Sequence, residues 1–289
     1  MAETPQKNAP PSDGEKLKIY FLPNLLTAGN LFCGFVALTK IVEANLTPDA
    51  GGHVNWYPIQ FALAAILLAC IFDLFDGRVA RMGGHESPFG REFDSLADLV
   101  SFGVAPAFLV HRVVLRGALP DEYTQLGWFI ASIYLICGAF RLARFNCLSA
   151  MNLPGAGKDF LGFPIPSAAG LVASLTLLII HFNEKEKSLG RWGYLLPAVL
   201  IFLSAMMVSE VRYPSFKSLG LRSTTTFLKL IVAVLFAGCL FILREKILYF
   251  VLPLFFTGYL LYGFVRPYIS RAWRREIEED EDDDAGTAS

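Results

Sequence analysis

Apolar residues along this chain gather in long runs, not in the short alternations of a soluble sheet. Eight runs stand out, at 23–42, 57–75, 96–114, 126–143, 165–182, 194–208, 227–243 and 248–265. Most approach the roughly 20 residues with which a helix crosses the hydrocarbon core of a bilayer; the sixth is short. In lipid a spanning segment must satisfy its own backbone hydrogen bonds, which favours helices. The pattern therefore predicts an all-α, multi-pass integral membrane protein. The first six runs hold nearly all the unusual polar residues. The last two are blander and read as scaffold, and no internal repeat is visible.

Composition agrees, since 54% of the 289 residues are hydrophobic, too many for an ordinary soluble domain. The formal charge of −1 conceals an asymmetry. Eight of the 26 acids fall between Glu276 and Asp284, leaving 18 against 25 bases in the rest of the chain. Such an acid run reads as a solvated, disordered tail. With the N-terminus in the cytoplasm, eight spans return the C-terminus there as well. The inner segments then carry 17 basic residues and the outer ones seven, leaving out Lys40 within the first span. That bias is the one the positive-inside rule favours, and it turns the 73–98 stretch toward the cytoplasmic face of the cell inner membrane. No cleavable signal peptide is expected, because the first twenty residues are polar and contain proline. The five cysteines lie in or beside apolar runs without a CxxC pair, and read as small buried hydrophobes.

The stretch DLFDGRVARMGGHESPFGREFDSLAD, at 73–98, places four aspartates at the edge of a membrane helix. Asp73 and Asp76 are three apart and Asp94 and Asp98 four apart, so each pair shares a helix face. The intervening glycines and proline can reverse the chain and turn the two pairs toward each other. Four carboxylates gathered there repel one another and lose hydration, and one or two hard divalent cations such as Mg or Mn relieve both problems. Ionisable residues within membrane spans mark function by default. Gly77 and Ala80 leave room for a bulky ligand, while Arg81 offers a planar fork suited to phosphate. Together these residues point to phosphoryl chemistry on a nucleotide-activated substrate. The four histidines are scattered over both sides, which argues against a histidine metal centre. GNLFCG lacks the spacing and the preceding strand of a dinucleotide fingerprint. Nothing in the chain suggests a nucleic-acid module.

The pattern D-x2-D-G-x2-A-R-x8-G-x3-D-x3-D, from Asp73 to Asp98, resembles the signature of the CDP-alcohol phosphotransferase family. That resemblance implies a six-helix membrane core, here followed by two additional transmembrane helices, and a homodimer with a divalent metal site. It also implies displacement of CMP from a CDP-linked substrate by an alcohol. Carried over by position, Asp73, Asp76, Asp94 and Asp98 are expected to hold the metal, with Asp98 also the general base. Gly77 and Arg81 match positions that contact the CDP group, and Ser87 falls at a frequent cytidine-site serine. Asn24 and Thr27 either cap the first span or touch the cytidine, or do both. The expected organisation is a polar segment at 1–19, the enzymatic membrane core at 20–217, two further spans at 218–268 and the acidic tail at 269–289.

Four more stretches, PNLLTAGNLFCGFVAL, GAFRLARFN, FLGFPIPSAAG and MVSEVRYPSFK, resemble the membrane-type serine-accepting branch of that family. This resemblance implies CDP-diacylglycerol and L-serine as substrates. Free serine brings a carboxylate, so a fixed cation is needed near the metals, and Arg141 and Arg144 are the candidates. Anchoring their span at anionic headgroups is an alternative role for both. Glycerol-phosphate and inositol-phosphate acceptors, or an archaeal ether-lipid donor, remain alternatives within the family. An ion transporter is the rival from another class, although it would distribute its acids along a midplane route.

Overall fold

The computed structural model describes residues 20–47, 54–82, 87–115, 124–151, 159–183, 195–214 and 248–268. Helix α1 is Phe21–Glu43 and α2 is Tyr57–Met82. Helix α3, Pro88–Asp98, continues through a π-helical stretch, Leu99–Val104, into α4, Ala105–Val110, and a second π stretch, His111–Leu115. After α5, Thr124–Ala150, come a short strand β1, Asp159–Leu161, and α6, Ile165–Asn183. Helix α7, Leu195–Val208, precedes strand β2, Arg212–Pro214, and α8, Leu248–Val265, ends in a 3-10 turn, Arg266–Tyr268.

Among the described residues, five helices, Phe21–Glu43, Tyr57–Ala80, Pro88–Val113, Gln125–Ala150 and Ile165–Phe182, are long and apolar enough to cross a membrane. The chain is thus a mostly helical, multi-pass membrane protein. Helix α7 is shorter, as its sequence run suggested; its 14 residues rise only about 21 Å. The expected seventh span at 227–243, the polar segment at 1–19 and the acidic tail lie outside the described residues. Helices α2, α3 and α5 extend beyond their apolar runs, because the polar residues flanking those runs are themselves compatible with a helix.

Helix α1 is apolar all round, so its buried face is distinguished by small and polar residues. Thr27, Asn30, Cys33, Gly34, Ala37 and Ile41 are buried at helical spacing, while Phe32 and Phe35 are exposed on the opposite side. Small residues at such contacts let backbones approach within lipid. A Cβ on Gly34 would strike Ser101, and the Ser101 hydroxyl donates to the Asn30 carbonyl at 2.9 Å. At the other end of α1, Arg112 Nε donates to Ile41 O at 3.0 Å and Nη2 to Ala44 O at 2.9 Å, capping its last carbonyls.

The two strands were not foreseen in an all-helical reading. They pair antiparallel, Phe160 opposite Tyr213, and fasten the start of α6 to the end of α7. Gly162 adopts φ 80° at the exit of β1, where a Cβ would collide with the Met207 carbonyl. Its N–H donates to Val211 O at 2.9 Å, and the Phe163 N–H donates to Met206 O at 3.0 Å. Tyr213 is fully buried and donates to Leu260 O at 3.3 Å. Burial pushes its phenol up to about 12, keeping it a donor. Helix α8 runs antiparallel to α6: Tyr249 stacks on His181 at 4.3 Å, and Phe256 presses on Gly170.

Candidate functional site

One end of the bundle holds a half-open cavity of about 440 Å³ bordered by α2, α3, α5, the start of α6 and α8. The aspartate stretch reaches it for local reasons. Helix α2 runs on past its apolar residues to Met82, carrying Asp73 and Asp76 to the cavity. Helix α3 then starts cleanly: the Gly90 N–H donates to Ser87 Oγ at 3.0 Å, and Pro88 occupies the first turn. Such a cap with proline just inside is a strong helix start, and it presents Asp94 and Asp98 one turn apart.

All four aspartates line the cavity. One oxygen from each of Asp73, Asp76 and Asp94 lies within 4.8 Å of the others. Three hard oxygen donors at that separation suit a divalent cation. Asp98 lies outside this trio. It is 6% exposed and accepts from Asn30 Nδ2 at 3.0 Å, so its carboxylate is oriented by α1. Three of the four expected ligands thus form one oxygen cluster, and Asp98, expected as both ligand and general base, lines the same cavity beside them.

Gly77 and Arg141 also border the cavity; Arg141 is 6% exposed, with its guanidinium 5.7 Å from the Phe145 ring. Arg81 lies in the last turn of α2, next to this end of the bundle in sequence. The other residues singled out by sequence are used differently. Arg144 is absent from the cavity lining. Its Nη1 donates to Val208 O at 3.0 Å, and its Nη2 to Leu161 O at 2.8 Å, Met207 O at 3.3 Å and Ser209 O at 3.1 Å. Those carbonyls belong to the end of α7 and to β1, so Arg144, expected as a candidate substrate cation, clamps these two segments together. Thr27 donates to Pro23 O within α1 at 3.1 Å. Neither Thr27 nor Asn24 caps α1, because that helix already begins at Phe21. Asn24 instead faces the start of α3, its Oδ1 3.4 Å from the place a Gly90 Cβ would occupy. Ser87 serves as the α3 cap, and it too lies outside the cavity lining.

Several lining residues escaped the sequence reading. Arg78 and Arg91 border the cavity beside the acids, and Asn146 and Ser167 add polar groups. Asn146 Nδ2 donates to Ser95 Oγ at 2.9 Å, tying α5 to α3. Asn30 is the most informative omission, a fully buried amide in an apolar helix, which is itself a signal. Phe255, Phe256 and Tyr259 of α8 also line the cavity, so the run read as bland scaffold reaches the site. Cys147 is exposed, contrary to the buried-cysteine expectation, while Cys33 is buried as expected.

Comparison with known proteins bears on this same end of the bundle. The CDP-diacylglycerol–serine O-phosphatidyltransferase of Helicobacter pylori (strain ATCC 700392 / 26695) is 33% identical over 248 residues, 86% of this chain and 91% of that protein. The Bacillus subtilis (strain 168) protein of the same name is 34% identical over 197 residues, 68% of this chain and 92% of its own. An archaetidylserine synthase of Methanothermobacter thermautotrophicus is 30% identical over 201 residues, 69% of this chain and 72% of that protein. A family model described as CDP-alcohol phosphatidyltransferase matches residues 20–211. That match contains the four aspartates and the helices that bring them together, and so the chain belongs to the CDP-alcohol phosphatidyltransferase family.

Proposed function

We infer that this chain transfers the phosphatidyl group of CDP-diacylglycerol to the hydroxyl of L-serine, yielding phosphatidylserine and CMP. The observation that carries the reading is the convergence of Asp73, Asp76, Asp94, Asp98 and Arg141 on one cavity in a protein whose relatives bear that activity's name. Asp73, Asp76 and Asp94 hold a divalent cation, Mg or Mn. When bound, it supplies Lewis-acid stabilisation of the charge that develops on phosphate and leaving group. Gly77 leaves space for the CDP group and Arg81 pairs with its phosphates. Arg141 receives the serine carboxylate, a task suited to a planar fork of donors.

Asp98 orients the serine hydroxyl for in-line attack and accepts its proton as the new oxygen–phosphorus bond forms. The buried Asn30 contact keeps that carboxylate in one pose. The excess of basic residues in the inner segments supports a site open to the cytoplasm, in a six-helix core with two further spans. The family resemblance supports a homodimer.

The test is to incubate purified protein with CDP-diacylglycerol and separate acceptors: serine, glycerol 3-phosphate and inositol phosphate. Phosphatidylserine and CMP in equal amounts are expected, with loss of turnover in excess chelator and recovery on adding Mg or Mn. Transfer to another acceptor but not to serine refutes the serine assignment. Full activity in chelator refutes the metal assignment. Because one relative is an archaetidylserine synthase, a dialkyl ether CDP-lipid belongs in the same panel; faster turnover with it would change the donor and leave the acceptor unchanged.

A further inference from the structure

Helix α8 lies beyond residues 20–211, the extent of the family match, yet three of its side chains border the cavity that holds the aspartates. Core residues fix them there. Phe256 presses on Gly170 of α6, a position where any Cβ would collide with the ring. The Tyr259 ring lies 5.8 Å from Phe163 and 5.6 Å from Tyr213, which are themselves 5.2 Å apart. Below them, Tyr213 packs against Gly263 and donates to Leu260 O at 3.3 Å. Two glycines on facing helices thus admit one aromatic ring each, and α8 is locked to α6 and β2. Phe255 borders the cavity as well and is 66% exposed, so α8 forms the edge at which the cavity meets its surroundings.

We propose that Phe256 and Tyr259 form an acceptor-limiting wall of the active site, excluding water and alcohols bulkier than serine. The proposal rests on the phosphatidyl-transfer reading above. Such a wall bears on the outcome of the reaction, because water can make the same displacement as serine. Its oxygen bonds to the phosphatidyl phosphorus, the bond from that phosphorus to the CMP oxygen breaks, and a proton passes to solvent. The products are phosphatidic acid and CMP. Water outnumbers any dissolved amino acid, so productive transfer depends on a site closed around its acceptor. Arg141, Asn146 and Ser167 supply polar groups to the same cavity, and the two rings of α8 supply its apolar boundary.

The experiment measures the ratio of phosphatidic acid to phosphatidylserine formed from CDP-diacylglycerol and serine, with threonine as a bulkier acceptor. Tyr259→Ala and Phe256→Ala should each raise that ratio about tenfold, the low end of what a change in pocket bulk produces, and should admit threonine. Tyr259→Phe, which keeps the ring, should restore the wild-type partition. Phe250→Ala, on the same helix against Phe182, controls for general loosening. If the alanine variants do not fold, Tyr259→Leu and Phe256→Leu keep apolar burial while shortening the wall, and the same shift is expected. Folded wall variants with the wild-type ratio and no threonine product overturn the proposal, as does an equal shift in Phe250→Ala. A wild-type protein that makes no phosphatidylserine defeats the underlying reading instead, and the wall proposal falls with it.

Discussion

The side-chain amide of Asn30 donates to Asp98 Oδ1 at 3.0 Å, joining residues 68 positions apart. Asn30 is fully buried and Asp98 nearly so, so the bond acts away from water. Ser101, one turn beyond Asp98, holds the backbone of Asn30 in return through its carbonyl. The two contacts fix α1 against the α3 segment at the residue assigned to receive the serine proton.

Removing that amide should misdirect Asp98 without removing it. A hydrogen bond to a charged group contributes about 1.5–3 kcal/mol, so Asn30→Ala should lower kcat by about tenfold or more. The KM for CDP-diacylglycerol should change little, because Asn30 does not line the cavity. Steady-state kinetics on the purified variant decide it. An unchanged kcat would mean that Asp98 keeps its pose without Asn30.

The two arginines of α5 should separate cleanly. Arg141→Lys keeps the charge and loses the fork, so the serine KM should rise about tenfold while the KM for CDP-diacylglycerol holds. Arg144→Lys loses most of four carbonyl contacts and should lower the melting temperature, at a cost of about 2–4 kcal/mol. Its serine KM should stay near wild type. Kinetics and thermal unfolding of both variants in the same detergent test this assignment. The reverse pattern would return Arg144 to the substrate.

Sequence alone could not have made that separation. Arg141 and Arg144 are three residues apart in one helix, and spacing places both near the same face. What distinguishes them is the group of carbonyls at the end of α7 and in β1. Strands of three residues fall below the length at which alternation becomes visible, so that group could not be seen. The aspartates were legible because charge is costly in an apolar span and their spacings of three and four share a helix face. Asn30 offered no comparable periodicity, since its partner is remote in sequence. Tyr259 was missed for the opposite reason: in a uniformly apolar run, an aromatic lining a cavity looks like one facing lipid.

Gly34 offers a test of the α1 contact that leaves every cavity-lining side chain in place. Its missing Cβ would lie against Ser101, so Gly34→Ala should push α1 from the π stretch that follows Asp98. Overpacking of this kind costs about 1–3 kcal/mol, and it should also reduce kcat by disturbing the Asn30–Asp98 pair. Ser101→Gly removes the hydroxyl and Cβ that clash, although its Cα remains only 2.8 Å from the added methyl carbon. The double variant should therefore recover part of the lost stability, not all of it. Thermal unfolding of the four-protein cycle measures the coupling directly. Additive effects would show that the helices do not meet as described.

Asp98 itself is the decisive substitution, because its assigned role is distinct from that of the three acids beside it. A carboxylate is a much weaker base than an alkoxide, so it cannot simply deprotonate serine before attack. Its contribution comes as the oxygen–phosphorus bond forms and the hydroxyl proton becomes acidic. Asp98→Asn preserves shape, and its amide oxygen can still accept from Asn30. The variant should therefore fold and retain the Asp73, Asp76 and Asp94 trio. General base catalysis contributes about 100- to 10,000-fold, and kcat should fall within that range. CDP-diacylglycerol binding and the Mg concentration for half-maximal activity should shift little. Asp94→Asn, which removes one of the three clustered oxygens, should instead raise that Mg requirement strongly. If Asp98→Asn raised the Mg requirement as much as Asp94→Asn while keeping kcat at saturating metal, Asp98 would be a fourth ligand and the proton would leave by another route.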